Sequence, residues 1–282
     1  CTLISGERLR EIEPYAAGIK AIHVTEAGIV DYKQICDSLA TQLRHSGHDI
    51  VTDAMVTDIT ELTHEVVVST NRGDFAGSYL INCAGVYSDR LAQFSGSTDT
   101  MQIVPFRGEY FSLIPEARYL CKGLIYPVPD PQFPFLGVHF TRMISGEVEC
   151  GPNAVLALAR EGYHLTDINW VDFLETLRYP GFRRLAVKYW RTGLGEIWRS
   201  ASKAAFVKSV RKLVPAIQEH HLETATPGIR AQAVNMNGSM MEDFCFQSTA
   251  RIVNVLNAPS PAATSSLKIA ESIVKRLSQN FS

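Results

Sequence analysis

Residues 79–91 have the sequence YLINCAGVYSDRL and constrain the fold more than any other stretch of the chain. An apolar strand ends in three small residues, Cys83, Ala84 and Gly85, and Asp89 follows in a polar turn. Small residues let a bulky ligand approach the backbone, and ligands of open α/β sheets lie at the carboxyl ends of strands. The stretch therefore predicts either a ligand contact at these residues or an ordinary strand-to-helix turn.

A second stretch of small residues and prolines, NAPSPAATSS at 257–266, separates a strand from a C-terminal helix. Ser260 suits the N-cap of that helix and Pro261 its first turn, so we expect the helix to begin there. The N–H groups and the positive dipole end of a helix stabilise a negative charge. The stretch predicts a second ligand contact, with a capped surface helix as the alternative. The candidate contacts are Pro259, Ser260, Pro261, Ala262, Ala263 and Thr264.

A helix is predicted ahead of these motifs, from Asp31 to about Gly47. Ile35, Leu39 and Leu43 recur at helical spacing and form one apolar stripe, which predicts a packed face.

The remaining segments indicate an α+β fold with an α/β component. Continuous apolar runs at 66–68 and 80–81 predict strands covered on both faces. Strand-like segments separated by Pro and Gly over about 103–153 predict an antiparallel sheet, and residues 163–215 have a helical pattern. Strand patterns return after Gly228. We expect two intertwined layers and not two consecutive domains.

Two side chains are candidates for polar chemistry. In FLGVHFTR at 135–142, His139 shares one strand face with Gly137 and Thr141, so the glycine leaves space beside the imidazole. Arg230, at the start of the strand GIRAQAV, can hold a carboxylate through two parallel hydrogen bonds. A structural histidine and a structural salt bridge are the respective alternatives.

Composition argues against several classes of function. A formal net charge of −2 argues against nucleic-acid binding, and no apolar run reaches the roughly 18 residues of a membrane-spanning helix. Six scattered cysteines without a C-x-x-C pair predict reduced thiols in a cytoplasmic protein, with neither a disulfide framework nor a metal site. The near-match to a dinucleotide motif at 193–198 lacks its third glycine, so we reject it.

Residues 181–212 are strongly basic. They carry nine Lys or Arg against one acid, Glu196, a net charge of +8, so the rest of the chain carries −10 to give the total of −2. Trp190 and Trp198 lie within this segment. Basic faces with interfacial aromatic residues bind anionic lipid, so a peripheral contact with an inner membrane is one hypothesis. A solvated helical face is the other.

Several long strings occur in the order found in one flavoprotein family: INCAGVYSDRLA, PFRGEYFSLIPE, LGVHFTRM, GPNAVLALAREGY, GIRAQAV and NAPSPAATSSLKIA. On these motifs nearly the whole chain resembles the L-2-hydroxyglutarate oxidases/dehydrogenases, which are D-amino-acid-oxidase-like flavoproteins. The resemblance implies that residues 27–95 and 228–282 form the remaining part of a Rossmann-like FAD-binding domain. Residues 1–26 and 96–227 would form an antiparallel substrate-binding sheet with helices.

The resemblance also implies which residues form the site. The segments around Cys83 and Pro261 would contact FAD, with the backbone of Val56 near the adenine. The residues that would face the substrate are His139, Tyr110, Tyr126, Asn153 and Arg230.

The implied reaction is oxidation of L-2-hydroxyglutarate to 2-oxoglutarate, with hydride passing from C2 to flavin N5 and a quinone or oxygen as electron acceptor. His139 is the candidate base for the hydroxyl proton, and a histidine of the family's N-terminal segment is its rival. Arg230 would hold one carboxylate of the dicarboxylate substrate. The candidates for the other carboxylate are Tyr110, Tyr126, Arg107 and Lys203. The alternatives are an oxidase of an amino acid or glycerol 3-phosphate on the same scaffold, or a non-catalytic fragment.

The family's strand–G-x-G-x-x-G–helix unit is expected ahead of Cys1, so we predict that this chain lacks the first β-α-β unit. Any targeting sequence would also lie there. The remaining parallel sheet is then expected to expose apolar strand edges and to self-associate.

Overall fold

The structure is a computed structural model that describes residues 1–97, 101–128 and 137–278. Its helices are α1 (Gly6–Ile12), α2 (Tyr32–His45), α3 (Ser88–Phe94), α4 (Trp170–Arg178), α5 (Pro180–Ala201), α6 (Lys203–Val210) and α7 (Ser266–Ser278). Its strands are β1 (Thr2–Ser5), β2 (Lys20–His23), β3 (Val56–Glu61), β4 (Val66–Thr70), β5 (Gly73–Gly77), β6 (Leu80–Asn82), β7 (Gln102–Leu113), β8 (Leu124–Ile125), β9 (His139–Arg142), β10 (Val148–Leu156), β11 (Leu222–Thr224), β12 (Gly228–Val234), β13 (Cys245–Ser248) and β14 (Ile252–Asn257). Antiparallel sheets, one parallel strand pair and helices together confirm the predicted mixed α and β class.

The predicted antiparallel sheet is built around β7. Its strands lie in the order β11–β7–β10–β9–β8, and β12 also pairs with β7. Alternation along β7 directs Phe111 and Leu113 to one face, where they pack with Phe140 and with Phe206 of α6. Tyr110 therefore lies on the opposite face, which α6 does not cover.

Strand β12 belongs to this antiparallel sheet. Residues 228–234 pair with residues 102–108 of β7. The sequence assigns 228–282 to the cofactor-binding part. The pairing shows where this strand lies, and its assignment to a domain stays a prediction. The partner of a strand depends on residues far away in the chain, which the local pattern of β12 does not contain. The other predicted domain boundaries stay predictions.

The parallel part of the fold is the pair β6 and β14. Ile252 lies opposite Leu80, and β13 pairs antiparallel with the other edge of β14. Helix α7 covers this sheet because its Ile273 and Leu277 pack on Val253. Since β6 and β14 run in the same direction, the chain leaves both strands at the same edge of the sheet.

One strand is less covered than its sequence predicts. Val66 of β4 is buried, but Ile81 of β6 is exposed. Among the described residues, β6 is the edge strand of a three-stranded sheet, and β3, β4 and β5 form a separate antiparallel meander. The prediction of a strand covered on both faces is therefore wrong for β6, because no described element covers the face that carries Ile81 well enough to bury it.

Helix α2 begins as predicted, because the Asp31 carboxylate accepts a hydrogen bond from the N–H of Lys33 at 2.9 Å. Its apolar stripe is not packed as expected, since Ile35, Leu39 and Leu43 are each at least 39% exposed. The described part of the chain covers this face only in part. An exposed apolar helix face of this kind favours association with another apolar surface.

The N-terminal hairpin β1–β2 and α1 are fastened beside β8. The buried Glu13 carboxylate accepts hydrogen bonds from the backbone N–H groups of Lys122 at 2.9 Å and Gly123 at 2.6 Å. The Ala17 N–H donates to the Leu213 carbonyl at 2.7 Å. These bonds satisfy a buried carboxylate and hold the N-terminal segment against the antiparallel sheet.

Candidate active site

The carboxyl ends of β6 and β14 form one edge. Asn82 lies opposite Asn254 in the parallel register, and the predicted segments 83–85 and 258–264 follow these strands. Both segments are mostly exposed. Ligands of α/β sheets bind at such an edge. The structure therefore places the two predicted cofactor segments side by side.

A buried amide holds the turn after β6. Asn82 Nδ2 donates to the Ser88 carbonyl at 3.0 Å and to Asn254 Oδ1 at 2.9 Å, and Asn82 Oδ1 accepts from the Ala84 N–H at 3.1 Å. Gly85 follows with a φ of +58°, a left-handed conformation that favours glycine. The shape of the turn is therefore determined by the protein's own hydrogen bonds.

Asp89, a predicted cofactor contact, is buried in an ion pair with Arg160. The guanidinium bonds both carboxylate oxygens, at 2.5 and 2.9 Å, and the two side chains are only 3% and 2% exposed. Asp89 Oδ2 also accepts from the Ile103 N–H at 2.9 Å. Both carboxylate oxygens thus accept hydrogen bonds from protein donors, so the observed role of Asp89 is to stabilise the turn. Its direct contact with a cofactor stays a prediction.

The ion pair continues into helix α4. The backbone N–H of Arg160 donates to Asp172 Oδ2 at 2.9 Å. The Arg90 side chain pairs with Asp172 at 2.7 Å and with Glu175. These groups join the turn 85–90 to the loop and helix that follow β10. Sequence analysis missed this network, and its only trace there is a charged residue directly after the apolar run AVLALA.

The second cofactor segment differs from its prediction, because α7 begins at Ser266 and not at Pro261. Residues 261–265 form hydrogen-bonded turns, in which the Ser265 N–H donates to the Pro261 carbonyl at 3.0 Å. The Ser-Pro signal starts a turn, whereas a stable helix needs an apolar face to pack, and that face starts at Ile269. The Tyr32 hydroxyl lies 2.9 Å from Thr264 Oγ1 and ties α2 to this segment.

Val56, the predicted adenine contact, begins β3. Its side chain packs in the cluster that contains Ile59, Val66 and Ile252, and its backbone lies opposite Thr70 in the strand register. The contact of its backbone with adenine stays a prediction.

Four predicted substrate residues lie on the Tyr110 face of the antiparallel sheet. Tyr110, Tyr126 and His139 lie together, and Arg230 lies opposite Phe106, which shares this face of β7 with Tyr110. His139 lies opposite Gly151 of β10, and a Cβ at Gly151 would approach the Tyr110 ring to 2.7 Å. Only glycine allows this close approach. The rings of His139 and Tyr126 stack with centroids 4.4 Å apart and an interplanar angle of 12°. Residues 135–136 of the strand predicted here lie outside the described residues.

Burial controls the charge of these groups. Burial raises the pKa of Tyr110, and the charges of Glu149 and Tyr126 raise it further. The hydroxyl is therefore protonated at neutral pH. Burial lowers the pKa of His139, so the imidazole is neutral at neutral pH. Burial also lowers the pKa of Arg230, and the nearby Tyr110 opposes this effect. The face therefore offers a guanidinium, a hydroxyl donor and a neutral imidazole, which suits an anionic substrate that must lose a proton.

Three other candidates lie elsewhere. A bulge in β10 shifts the alternation, so Asn153 lies opposite Glu109, donates to its carboxylate at 3.0 Å and accepts from its N–H at 3.1 Å. Arg107 pairs with the same Glu109 at 2.9 Å, and Lys203 donates to the Leu222 carbonyl at 2.6 Å. The structure therefore does not favour Arg107 or Lys203 as the second carboxylate anchor, and substrate contact by Asn153 stays a prediction.

Glu149 is a residue of this face that the sequence analysis missed. It lies between Ser112 and Thr141 in the strand register, on the side of Tyr110. Burial, with a smaller contribution from a neighbouring carboxylate, raises its pKa. Its alternation with buried neighbours in GEVECGP is the pattern that predicts this orientation.

Comparison with known proteins shows the family to which this chain belongs. The model of the FAD-dependent oxidoreductase family DAO matches residues 1–276. The chain belongs to this family. The small exposed residues at 83–85 and 258–264 fit the cofactor, because no bulky side chain blocks the backbone at the β6–β14 edge. With Val56, they are the residues of this oxidoreductase that would hold FAD.

Named relatives share nearly all of this chain. It is 46% identical to an L-2-hydroxyglutarate dehydrogenase of Indibacter alkaliphilus, over 99% of the chain and 70% of the relative. It is 43% identical to a mitochondrial L-2-hydroxyglutarate dehydrogenase of Nematostella vectensis, over 99% of the chain and 66% of the relative. The chain thus spans about two thirds of the length of these relatives.

A solved structure shares the fold. An L-alpha-glycerophosphate oxidase from Mycoplasma pneumoniae with FAD bound superposes with a TM-score of 0.70, at 19% identity, over 98% of this chain and 64% of that one. Across the three ranges that the structure describes, no His, Cys, Asp or Glu cluster is placed to hold a metal ion. No helix in those ranges is long and apolar enough to cross a membrane.

We expect Arg160→Met to lower the free energy of unfolding by about 3–5 kcal/mol, because it leaves the buried Asp89 carboxylate without its partner. Urea unfolding followed by circular dichroism measures this loss. Arg8→Met is the matched control, since the Arg8–Glu11 pair is about 60% exposed and such pairs contribute about 0–1 kcal/mol. Equal effects of the two substitutions would contradict the role assigned to the buried pair.

Proposed function

We propose that the protein oxidises L-2-hydroxyglutarate to 2-oxoglutarate with FAD as cofactor. The observation that carries the proposal is the placement of Arg230, Tyr110 and His139 on one face of the antiparallel sheet. The short helix that follows β6, residues 85–87, packs against β7 and β12, so the cofactor turn adjoins the strands that bear Arg230 and Tyr110. The two named relatives support the choice of substrate.

Arg230 would bind one carboxylate of the substrate through two parallel hydrogen bonds, which its planar guanidinium allows. The protonated Tyr110 hydroxyl, and Tyr126 beside it, would donate to the second carboxylate. Arg107 and Lys203 are engaged elsewhere, so these tyrosines are the better candidates.

His139 would accept the proton of the substrate hydroxyl. Its imidazole is neutral because burial lowers its pKa, and stacking on Tyr126 holds the ring in place. The C2 carbon then loses its hydrogen with the electron pair as the C–O bond becomes a carbonyl. A bound flavin supplies the hydride acceptor.

The alternative is another small substrate on the same scaffold, such as an amino acid or glycerol 3-phosphate. One observation keeps it open: the described face contains one arginine, Arg230, and a monocarboxylate needs no second anchor. A non-catalytic fragment is the alternative for the isolated chain.

We expect FAD binding by this chain when it is preceded by a strand–G-x-G-x-x-G–helix unit, and flavin bleaching on anaerobic addition of L-2-hydroxyglutarate. Arg230→Lys should raise KM about 10- to 100-fold, because one charge-assisted hydrogen bond is lost. Arg44→Lys on exposed α2 is the control and should leave KM unchanged. Bleaching by lactate, glycine or glycerol 3-phosphate, without bleaching by L-2-hydroxyglutarate, would support the alternative.

The pH dependence of kcat/KM should report His139. The neutral imidazole is the active form, so activity should fall as the pH decreases through its pKa, which lies below the ordinary 6.5. His139→Gln should remove this acidic limb and lower kcat by about 10²- to 10⁴-fold. A limb that persists in His139→Gln would assign the base to another residue, for which the N-terminal histidine of the family is the candidate.

We also propose that the electron acceptor is a quinone or oxygen and that residues 181–212 contact an anionic inner-membrane surface. Helix α5 presents a row of exposed apolar side chains at helical spacing, and Lys188 and Arg191 lie among them. The row comprises Trp190, Leu194, Ile197 and Trp198, each at least 55% exposed, and the exposed Val187 lies just before the kink of the helix at Tyr189. Apolar side chains flanked by cations are the pattern of helices that lie on anionic bilayers.

The protein should therefore sediment with vesicles that contain phosphatidylserine and not with pure phosphatidylcholine vesicles, and added salt should release it. The double substitution Lys188→Glu and Arg191→Glu should lower partitioning about 30-fold or more, since each basic residue contributes ~1 kcal/mol near an anionic surface. Lys33→Glu with Arg44→Glu makes the same charge change on α2 and should leave partitioning nearly unchanged. Equal losses of partitioning in both double variants would show that the effect depends on the overall charge of the protein and not on α5.

A further inference from the structure

A half-buried carboxylate, that of Glu149, lies beside the proposed substrate residues. Glu149 and Gly151 are on one face of β10, where Gly151 lies opposite His139 and against the Tyr110 ring. The next residue, Cys150, points to the opposite face and is buried in the core there. Because Gly151 has no side chain, Glu149 is the side chain through which β10 borders the space between Tyr110 and His139.

The Glu149 carboxylate has no partner within the protein. Among the residues that the structure describes, no group donates a hydrogen bond to it and no cation pairs with it. Its direct neighbours across the strands are Ser112 and Thr141. The buried carboxylates of Glu13 and Asp89, by contrast, each accept at least two hydrogen bonds from protein donors. A partly buried carboxylate without donors is costly to ionise, and a ligand that shares a proton with it removes this cost.

The charges around Glu149 favour its protonated form. Burial raises the pKa of its carboxyl, and the charge of Glu147, just before β10, raises it further. The other titratable groups of this face, within the described ranges, are Tyr110 on β7, Glu223 on β11, His139 on β9, Tyr126 beside it and Arg230 on β12.

Tyr110 connects Glu149 with the proposed carboxylate anchor. The charges of both Glu149 and Arg230 act on its hydroxyl, so it lies within electrostatic reach of each. A dicarboxylate that Arg230 holds at one end and Tyr110 at the other therefore brings its second carboxylate close to Glu149. Two carboxylates at one site do not both stay ionised, because like charges raise the pKa of one of them.

We propose that Glu149 binds the second carboxylate of the substrate through a shared proton and thereby makes the affinity for dicarboxylates depend on pH. This assignment rests on the proposed function. Protonated Glu149 donates a hydrogen bond to the carboxylate, whereas ionised Glu149 repels it. The bound dianion raises the pKa of Glu149, so the complex takes up a proton. Affinity therefore decreases as the pH rises from the pKa of the free protein to that of the complex.

Binding of 2-oxoglutarate, the proposed product, tests this role without turnover. The protein is the FAD-loaded enzyme that includes the N-terminal unit, and calorimetry in two buffers of different ionisation enthalpy measures affinity and proton uptake together. We expect proton uptake in a pH range above 4.5, the ordinary pKa of a glutamate, and an affinity that falls across this range. 2-Oxopentanoate, which has the same chain without the second carboxylate, should take up no proton through Glu149.

Glu149→Gln keeps the size of the side chain and a hydrogen-bond donor but cannot titrate. It should abolish the additional proton uptake and bind 2-oxoglutarate about tenfold more tightly than the unchanged enzyme at alkaline pH, because the repulsion between two like charges is removed. Glu147→Gln is the matched control, since Glu147 is exposed and pairs with Arg118. It should retain the uptake at slightly lower pH, because its charge raises the pKa of Glu149. His139→Gln should also retain the difference between the two ligands.

The outcomes separate the role of Glu149 from the proposed function. Equal proton uptake with 2-oxoglutarate and 2-oxopentanoate, or an uptake that persists in Glu149→Gln, would overturn the role of Glu149. Reduction of the flavin by L-2-hydroxyglutarate would in that case leave the proposed function in place. Proton uptake with 2-oxoglutarate without reduction of the flavin by L-2-hydroxyglutarate would keep the role of Glu149 and overturn the oxidation. Absence of both binding and reduction would overturn both.

Discussion

The buried Asp89–Arg160 ion pair is the constraint on which both halves of the site depend. It joins the turn after β6, where the predicted cofactor segment lies, to the loop after β10, a strand of the sheet that carries the predicted substrate residues. Desolvation of two charges is costly, and it is offset here because two parallel hydrogen bonds and the Ile103 N–H satisfy the carboxylate. Arg160 also donates to the Val86 carbonyl, so the cofactor turn itself is part of the ion-pair site.

Strand β7 then divides the substrate side into two faces. Its odd residues Phe111 and Leu113 enter a core that α6 closes, and its even residue Tyr110 points to the site. A single bulge in β10 decides which of its residues reach that site: Gly151 lies against Tyr110, whereas Asn153 turns toward Glu109. One extra residue in a strand thus turns Asn153 toward Glu109, and its predicted contact with the substrate stays a prediction.

Two helices expose apolar rows, and the charged side chains beside each row favour different binding surfaces. The row on α2 lies among side chains of mixed sign, and the described chain covers it only in part. The row on α5 lies in a segment of net charge +8 and borders a cavity next to the strand of Arg230. An apolar row alone favours another apolar surface. Apolar side chains together with cations favour an anionic bilayer.

The sequence by itself determined the α and β class, the antiparallel character of 103–153 and the small-residue segments at 83–85 and 258–264, because periodicity, turn residues and side-chain size act locally. Its family motifs also pointed to Arg230 and His139. Only the tertiary structure decided that β12 joins β7, that α7 starts at Ser266, and that Arg160 closes over Asp89. Strand partners, helix packing and buried ion pairs join residues far apart in the chain, and no local pattern contains the position of a distant partner.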